Sequence, residues 1–410
     1  MAENIFPYEL PENWHWSTLG DVCSLSQGEK LSDKNLPYLN VKYLRGTNEK
    51  IFVASGNYVE EGSKLILVDG ENSGEIFTVQ ENGYMGSTLR ELKIFETVDA
   101  DFFQYFVSTK KELYRQNKRG SAIPHLNKNL FYSTPIPLPP LDEQKRIVEI
   151  IESLCGKLDA AKSIVKKVLD GYELRRAAIL HKAFIGELTK NFRADSGLTL
   201  DDWQQKKLGE VCKKFVYGTS KKSKPVGKII VIRMGNLQGG EIDWKNLAYS
   251  DDEEDIEKYK LSAGDVLFNR TNSAELVGKT SIYRGEYPAI YAGYLIKLDY
   301  EKNFLDGEYL NFILNSPEAK IYCDSVKSNA VNQSNINAKK ISGFEIPLPP
   351  LDEQKEIVRV LDSLIDKEQR TKEIAEKILS EIDWLKRTIL ARAFRGELGT
   401  NNPSEKLEGL

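Results

Sequence analysis

Ten residues, IPLPPLDEQK, stand at 136–145 and again at 346–355, an offset of 346 − 136 = 210. The same offset joins AILHKAFIGEL at 178–188 to TILARAFRGEL at 388–398, so nothing is inserted or deleted between the two motifs. Repetition on this scale dictates a fold built twice. Upstream the offset changes: WHWSTLGDVC at 14–23 resembles WQQKKLGEVC at 203–212, and 203 − 14 = 189. The second copy is therefore 210 − 189 = 21 residues longer between its opening Trp and its Pro-rich motif. Weaker matches join YLNVKYL (38–44) to VIRMGNL (231–237) and DFFQYFV (101–107) to GEYLNFI (307–313). Each half is a variable segment followed by one of invariant length.

The invariant segment reads as helix. From Ile147 a 3–4 spacing picks out Ile151, Leu154, Leu158, Ala161, Val165, Val168, Tyr172, Arg175 and Ile179, broken only at Arg175. In the second copy the same register gives Ile357, Leu361, Leu364, Glu368, Thr371, Ala375, Ile378, Ile382, Leu385 and Ile389, broken at Glu368 and Thr371. A seam sustained over several heptads, with charges outside it, is the pattern of a coiled coil. Tandem prolines before each helix suit an N-terminus, where the missing N–H has no helical partner anyway. Asp142, Glu143, Asp352 and Glu353 put negative charge in the first turns, and Gly186 and Gly396 stand where a left-handed cap belongs. The simplest way to bury both seams is one helix against the other, antiparallel, as a rod of roughly 60 Å with the globular segments at opposite ends. The alternative is that each helix packs only on its own domain.

The variable segments read as short strands and turns: KLILVDG at 64–70, DVLFNRT at 265–271, TSIYRG at 280–285 and AIYAGYLIKL at 289–298, with short helices at 100–117 and 306–323. The expected fold class is α+β: two domains with curved, mostly antiparallel sheets, separated by two long helices in an antiparallel coiled coil, with an internal pseudo-two-fold repeat. The boundaries are a first domain at 1–140, a spacer helix at 141–190, a second domain at 191–350, a second helix at 351–399 and a tail at 400–410.

Composition narrows the partners. With 40% hydrophobic and 29% charged residues and no apolar run of about eighteen, a membrane span is not expected. The opening MAENIFPYELPENW lacks a basic stretch followed by an apolar one, and Cys23, Cys155, Cys212 and Cys323 are too scattered for a zinc or disulfide framework. A reducing cytoplasm is the plain reading. The net charge of −4 conceals local basic stretches. Lys110, Lys111, Arg115, Lys118, Arg119 and Lys128 face the single acid Glu112, and nine basic residues between Gln205 and Arg233 face Glu210 alone. Local patches, not totals, govern nucleic-acid binding. Acids collect instead in DDEEDIE at 251–257.

Several chemistries are missing. There is no GxxxxGK[ST], no GxGxxG, no HExxH and no [DN]PP[YFW], the adenine-methyltransferase signature. His15 and His181 face Gln204 and Ala391 in the other copy, and with His125 they form no cluster. No catalytic and no metal-ligating residue is assigned.

The repeated PLPPLDEQK-I, each followed by a heptad helix ending in AF-GEL, with W-----LG-VC opening each half, resembles the DNA specificity subunit of type I restriction-modification systems over essentially the whole chain. The resemblance implies two target recognition domains, each reading half of a bipartite, asymmetric site in double-stranded DNA. It also implies that the helices act as spacer and as docking surface for two methyltransferase subunits. S-adenosylmethionine, ATP and Mg are expected in the partner methyltransferase and restriction subunits, and no cofactor in this chain.

Rigidly spaced half-sites one turn apart span about 34 Å of B-DNA. Base reading needs Arg, Lys, Asn or Gln on exposed loops, while phosphate contacts position without specifying. Candidates in the first domain are Gln27, Lys30, Asn40, Lys42, Tyr43, Arg45, Lys118, Arg119 and Asn127. In the second they are Tyr217, Thr219, Ser220, Lys221, Lys222, Arg233, Asn236, Arg270, Asn272, Ser273, Asn329, Asn332 and Gln333. Asn and Ser in such loops also cap turns. Trp14, Trp203, Leu19 and Leu208 occupy matched places and are expected in the core. Partner docking is expected at Asp142, Glu143, Gln144 and Lys145 and at Asp352, Glu353, Gln354 and Lys355, because an exact copy of a polar tetrapeptide suits a shared partner. Two rival readings stand beside this one: a coiled-coil scaffold without DNA affinity, and a single-chain restriction-methylation enzyme.

Overall fold

The computed structural model of the chain describes residues 7–118, 124–330 and 333–399. They gather into two compact units, Met1–Lys166 with Lys377–Leu410, and Lys167–Glu376. Each unit takes one variable segment, the start of one long helix and the end of the other, so it crosses the linear divisions at 140, 190 and 350.

The repeat persists in the sheets. In the first unit a four-stranded sheet runs Cys23–Ser26, Leu89–Ile94, Lys64–Leu67, Ile76–Thr78; in the second it runs Cys212–Tyr217, Leu295–Tyr300, Asp265–Asn269, Thr280–Tyr283. In both, the strand leaving the LG-VC motif pairs with the last strand of the sheet, and every pair is antiparallel. The mostly antiparallel character holds throughout, with parallel pairing at Tyr38–Leu39 against Tyr84–Met85 and at Ile230–Ile232 against Ala289–Tyr291.

A helix packs on each sheet. Ala100–Thr109 is capped by Asp99, whose carboxylate accepts from the Asp101 and Phe102 amides, and Gly307–Leu314 is capped in the same way by Asp306. Phe102, Phe103 and Phe106 from the first, and Tyr309, Leu310 and Ile313 from the second, enter the two main cores. Trp14, Leu19 and Leu208 are buried there as expected, and Trp203 packs at the core edge.

The Pro-rich motif is a strand that runs into the start of a helix. Its IPL part lies in a short strand, paired at Pro135–Leu138 with His15–Thr18 and at Glu345–Leu348 with Gln204–Lys207. The second proline of each PP pair then opens the long helix: the Pro140 carbonyl accepts from the Glu143 and Gln144 amides, and Pro350 does the same for Glu353 and Gln354. At the far end, Gly186 and Gly396 adopt φ +81° and +76°, the left-handed cap that a Cβ would strain. Phe184 and Phe394, from the AF of each AF-GEL motif, plug back into the cores. Phe394 meets Phe102 and Phe106 edge-on at 5.1 and 5.2 Å between centroids, and Phe184 meets Tyr309 at 5.5 Å.

The first spacer is shorter and less regular than expected. Helix Leu141–Asp170 is interrupted at Gly171, resumes as Tyr172–Phe184 and is followed by a separate short helix, Lys190–Ser196. A Cβ on Gly171 would stand 2.6 Å from Arg175 Nη1, so the small residue lets the guanidinium fold back onto the Val168 carbonyl (3.1 Å). The second copy has Glu381 at this position, and Leu351–Ala393 is unbroken.

Within each unit the helices run antiparallel. Lys162 pairs with Asp383 and Lys386 with Asp159 in the first; Tyr172 Oη donates to Gln369 (3.0 Å) and Arg175 Nε to Glu368 (2.8 Å) in the second. Arg175 and Glu368, two polar interruptions of the apolar stripes, are thus each other's partners. In the second helix the predicted stripe holds at Ala375, Ile382 and Ile389, while the positions between them shift by one residue. Thr371, Ile378 and Leu385 are exposed, and the half-buried positions are Lys372, Leu379 and Lys386. From Leu361 to Lys372 is eleven residues, a step that restores the 3.6-residue period where a strict heptad drifts by about 20° per repeat.

Candidate nucleic-acid interface and helix junctions

The Glu and Gln of each DEQ motif are internal. Gln354 and Gln144 are almost fully buried, and each fills the same role in its own unit. Gln144 Oε1 accepts from the Asp99 amide (2.8 Å) while its Nε2 donates to the Thr97 and Pro139 carbonyls (3.2 and 3.0 Å). Gln354 accepts from the Asp306 amide (2.8 Å) and donates to Phe304 and Pro349 (2.7 and 2.8 Å). One amide thereby ties the start of the long helix to the turn that caps the sheet-packed helix some forty residues before it. Glu353, with no exposed surface, accepts from Thr189 Oγ1 (2.6 Å), Trp203 Nε1 (2.8 Å) and Arg193 Nη1. Glu143 is equally buried, bonded by Arg146 Nε and Nη2 at 2.9 and 2.6 Å, and the Gly399 backbone packs so closely on it that a Cβ would overlap its carboxylate. Burial removes Glu143, Gln144, Glu353 and Gln354 from any docking surface. Asp142, Lys145, Asp352 and Lys355 are the outward members, whose ion pairs among the described residues are i,i+3 contacts at 3.9 and 3.5 Å.

In the first unit the candidates divide by partner. Gln27, Lys30 and Lys42 are exposed, and neither lysine has an ion-pair partner among the described residues. Gln27 precedes Gly28 (φ +75°), after which Glu29–Leu39 pairs with Phe52–Val59 as a long ribbon bulged between Ser32 and Leu36. Asn40 and Asn127 instead cap short helices, accepting from the Tyr43 and Leu130 amides. Tyr43 donates to Glu81, whose acceptance holds the phenol proton above its usual range. Arg45 is bound to Glu75 and Lys118 to Glu71 (2.7 Å), which pulls the Glu71 carboxyl below its ordinary range. Arg119 lies outside the described residues.

The second unit neutralises most of its own basic stretch. Lys221 reaches Asp252 at 2.8 Å and Asp255 at 3.5 Å, Lys224 reaches Asp251 at 3.0 Å, and Lys228 contacts Glu253. Hydrogen bonds from Lys221 and Lys224 hold Asp252 and Asp251 below the usual carboxylate range, and the same contacts raise Lys221 and Lys228. The acidic segment at 251–257 is therefore the counter-charge of the lysines thirty residues before it. Thr219 and Asn236 are corrections. Thr219 is buried and donates to Asp255, and Asn236 is buried with its amide closing a turn onto the Asp243 and Lys245 carbonyls (2.9 and 3.1 Å). Ser220, Lys222, Ser273 and Gln333 are exposed; Asn272 accepts from the Ser273 amide and Asn329 from Ser334. Arg233 donates to the Asn246 carbonyl, and Arg270 lies 4.9 Å over the Tyr217 ring. Asn332 lies outside the described residues.

Each unit thus presents a polar ribbon. In the first, Lys34, Asn35, Ser55 and Asn57 join Lys30 on Glu29–Leu39 and Phe52–Val59. In the second, Thr271–Asn272, Gln333–Asn335 and Ser328–Ala330 form three short antiparallel strands made almost wholly of Thr, Asn, Ser and Gln. A two-stranded ribbon fits the B-DNA major groove. Sequence reading missed the first ribbon's outer residues because its apolar residues do not alternate cleanly; the signal against helix was the Ser, Asp and Asn between its leucines and Pro37 near its end. Among the described residues no His/Cys/Asp/Glu cluster could hold a metal, and no helix is long and apolar enough to cross a membrane.

Comparison with known proteins agrees with this doubled plan. The sequence model described as "Type I restriction modification DNA specificity domain" matches residues 11–168 and again 200–380. The StySPI type I restriction enzyme specificity subunit of Salmonella potsdam is 26% identical over 423 residues, covering 95% of this chain and 90% of that one. The MjaVIII specificity subunit of Methanocaldococcus jannaschii is 27% identical over 404 residues, covering 91% and 92%. Among solved structures, a chain from a study of type I R-M complex assembly and conformational transition superposes with a TM-score of 0.73 at 21% identity, covering 96% of this chain and all of that one. The HsdS subunit from Thermoanaerobacter tengcongensis gives 0.59 at 20%, covering 96% and 99%.

Proposed function

The chain belongs to the type I restriction-modification DNA specificity family, and from that premise we propose how its parts divide the work. Each globular region reads one half of a bipartite, asymmetric site in double-stranded DNA, using its polar ribbon and neighbouring loops. The paired helices set the separation of the two readers. One observation carries this reading: the junctions of the two copies match bond for bond at Gln144 and Gln354, whereas the ribbons share neither sequence nor strand pairing. Matched parts suit a shared frame, and unmatched parts suit unlike half-sites.

The same logic assigns the docking surface. Ile164 and Ile374 stand 374 − 164 = 210 apart, as do Leu174 and Trp384, and all four are exposed by 59–75%. Large apolar side chains left in water at repeated positions on polar helices mark a partner surface. Ile164 with Trp384 in the first unit, and Leu174 with Ile374 in the second, would each seat one methyltransferase subunit, with Asp142, Lys145, Asp352 and Lys355 as outlying polar contacts. S-adenosylmethionine, ATP and Mg belong to the methyltransferase and restriction partners, this chain contributes recognition alone, and the complex works in the cytoplasm.

A gel-shift titration of the chain with its methyltransferase partner against random duplex, over a salt series, tests the DNA reading. Affinity should fall steeply and linearly on logarithmic axes, with a slope of about −0.9 per phosphate contacted. A scaffold without DNA affinity would show no such binding.

A further inference from the structure

Within the second globular region, residues 203–350, the arginines are Arg233, Arg270 and Arg284. Arg284 is held by Glu308 (2.6 Å) and Glu241. Arg270 is different. It forms no ion pair among the described residues, and its Nη1 donates only to the Gly293 carbonyl at 3.3 Å. Its Nε is buried with no partner among the described residues, while the guanidinium carbon lies 4.9 Å over the centre of the Tyr217 ring. Tyr217 is itself fixed, its hydroxyl accepting from the Ala338 amide at 3.0 Å. A half-buried guanidinium with spare donors and no acid is costly unless something else supplies acceptors. Stacking fixes the plane of the fork, so little freedom remains to be lost when two parallel hydrogen bonds form. The next residues along the chain, Thr271 and Asn272, form the edge strand of the polar ribbon, which places the fork at the ribbon's root.

We propose that Arg270 reads a guanine in the second unit's half-site, donating from its fork to the O6 and N7 acceptors of the major-groove edge, with Tyr217 as its positioning residue. The inference rests on the DNA-reading function above and deepens it from a surface to one base pair. Guanine is the base whose major-groove edge offers two adjacent acceptors, and a bidentate Arg contact discriminates against other pairs by about 5- to 150-fold. A phosphate contact would discriminate against nothing.

The test uses the assembled complex of this chain with its methyltransferase partner. Mapping methylated adenines in DNA from cells carrying it defines the recognised site; binding is then titrated against duplexes in which each G·C pair of that site is replaced in turn. The wild-type complex should reject replacement of one particular G·C pair by that 5- to 150-fold. Arg270→Gln and Arg270→Lys should lose discrimination at that pair alone, keep it at all others and keep their affinity for random duplex. Tyr217→Leu should weaken discrimination at the same pair, and Tyr217→Phe, which keeps the ring, should retain it. Arg270 variants that weaken every duplex alike, with a shallower salt slope, would make Arg270 a phosphate contact and overturn the proposal. Unchanged discrimination throughout would overturn it too. Absence of salt-dependent binding by the wild-type complex would be a failure of the DNA reading itself.

Discussion

Replacing Glu353 by alanine separates an internal anchor from a docking residue. The carboxylate is fully buried and accepts three hydrogen bonds, one from the guanidinium of Arg193, whose side chain is 8% exposed. Truncation leaves that cation buried without its acid, and breaking one side of a buried pair costs about 3–5 kcal/mol. Trp203 Nε1 and Thr189 Oγ1 lose their acceptor as well, so the upper half of that range applies if water does not reach them. Segment-resolved hydrogen exchange of the full chain is the suitable assay, because a protein of two units need not unfold in one step. About 4 kcal/mol corresponds to nearly a thousandfold faster opening of the amides at 353–362 and 189–203, and the lower end of the range, about 3 kcal/mol, to roughly a hundredfold.

Two controls sharpen the result. Asp352→Lys, at a side chain 87% exposed, should change exchange by less than about 0.5 kcal/mol. Glu353→Leu combined with Arg193→Met removes both charges and should recover much of the loss, since apolar replacement of a buried pair is often neutral or better. Wild-type exchange in Glu353→Ala, coupled with loss of methyltransferase from the complex on a sizing column, would refute the anchor and restore the docking role.

Other consequences follow from the same contacts. Neutralising Asp251 and Glu253 to Asn and Gln should free Lys224 and Lys228 for phosphate and steepen the salt dependence of random-duplex binding by up to about 1.8; an unchanged slope would mean those lysines do not face DNA. Leu174→Glu with Ile374→Glu should cost one methyltransferase subunit of two on a sizing column while leaving thermal stability within about 1 kcal/mol. Phe394→Ala, which empties a buried site beside Phe102 and Phe106, should destabilise the first unit by about 3–5 kcal/mol in urea unfolding. Burial pushes the thiols of Cys23, Cys212 and Cys323 up to about 12, so at pH 8 they stay protonated and resist iodoacetamide, and the half-buried Cys155 should label first; labelling of Cys23 ahead of it would contradict the packing.

Much of this architecture was legible in the chain because repetition compares a sequence with itself. The offset of 210 marked the helices, their caps at Gly186 and Gly396 and the junction of each globular segment with its helix without reference to propensity, though not the short strand that precedes each helix. What remained hidden had physical reasons. Glu143 and Gln144 read as first-turn surface polars because carboxamides and carboxylates are seldom buried. Gln144 is buried here because main-chain groups of Asp99 and Thr97, more than forty residues away, satisfy it, and no local pattern records them; Glu143 is met by Arg146 one turn on and is covered by the Gly399 backbone. The apolar stripe of the second helix moved by one residue at Thr371, Ile378 and Leu385 but not at Ala375 and Ile382, and Lys372 takes the place expected of Thr371 with its ammonium 4.7 Å from the centre of the Tyr172 ring. The basic stretch at 205–233 misled in the opposite way, since its counter-charges lie in a separate segment of the chain.

The duplicated decapeptide accordingly carries a different constraint from the one its polarity suggests. A surface motif copied for a partner could vary wherever the partner does not touch it. A buried amide that must accept from one main-chain N–H and donate to two carbonyls cannot become Glu, Asn or Lys without leaving a group unsatisfied. Identity between the copies at Gln144 and Gln354 therefore reflects one solution to joining a helix to a domain, used twice. Evolution of a new target is then free to act on the ribbons. The 21 additional residues show where that freedom lies: 13 of them (202 − 189) fall before the matched turn glycines Gly62 and Gly264, outside the frame that the two copies share.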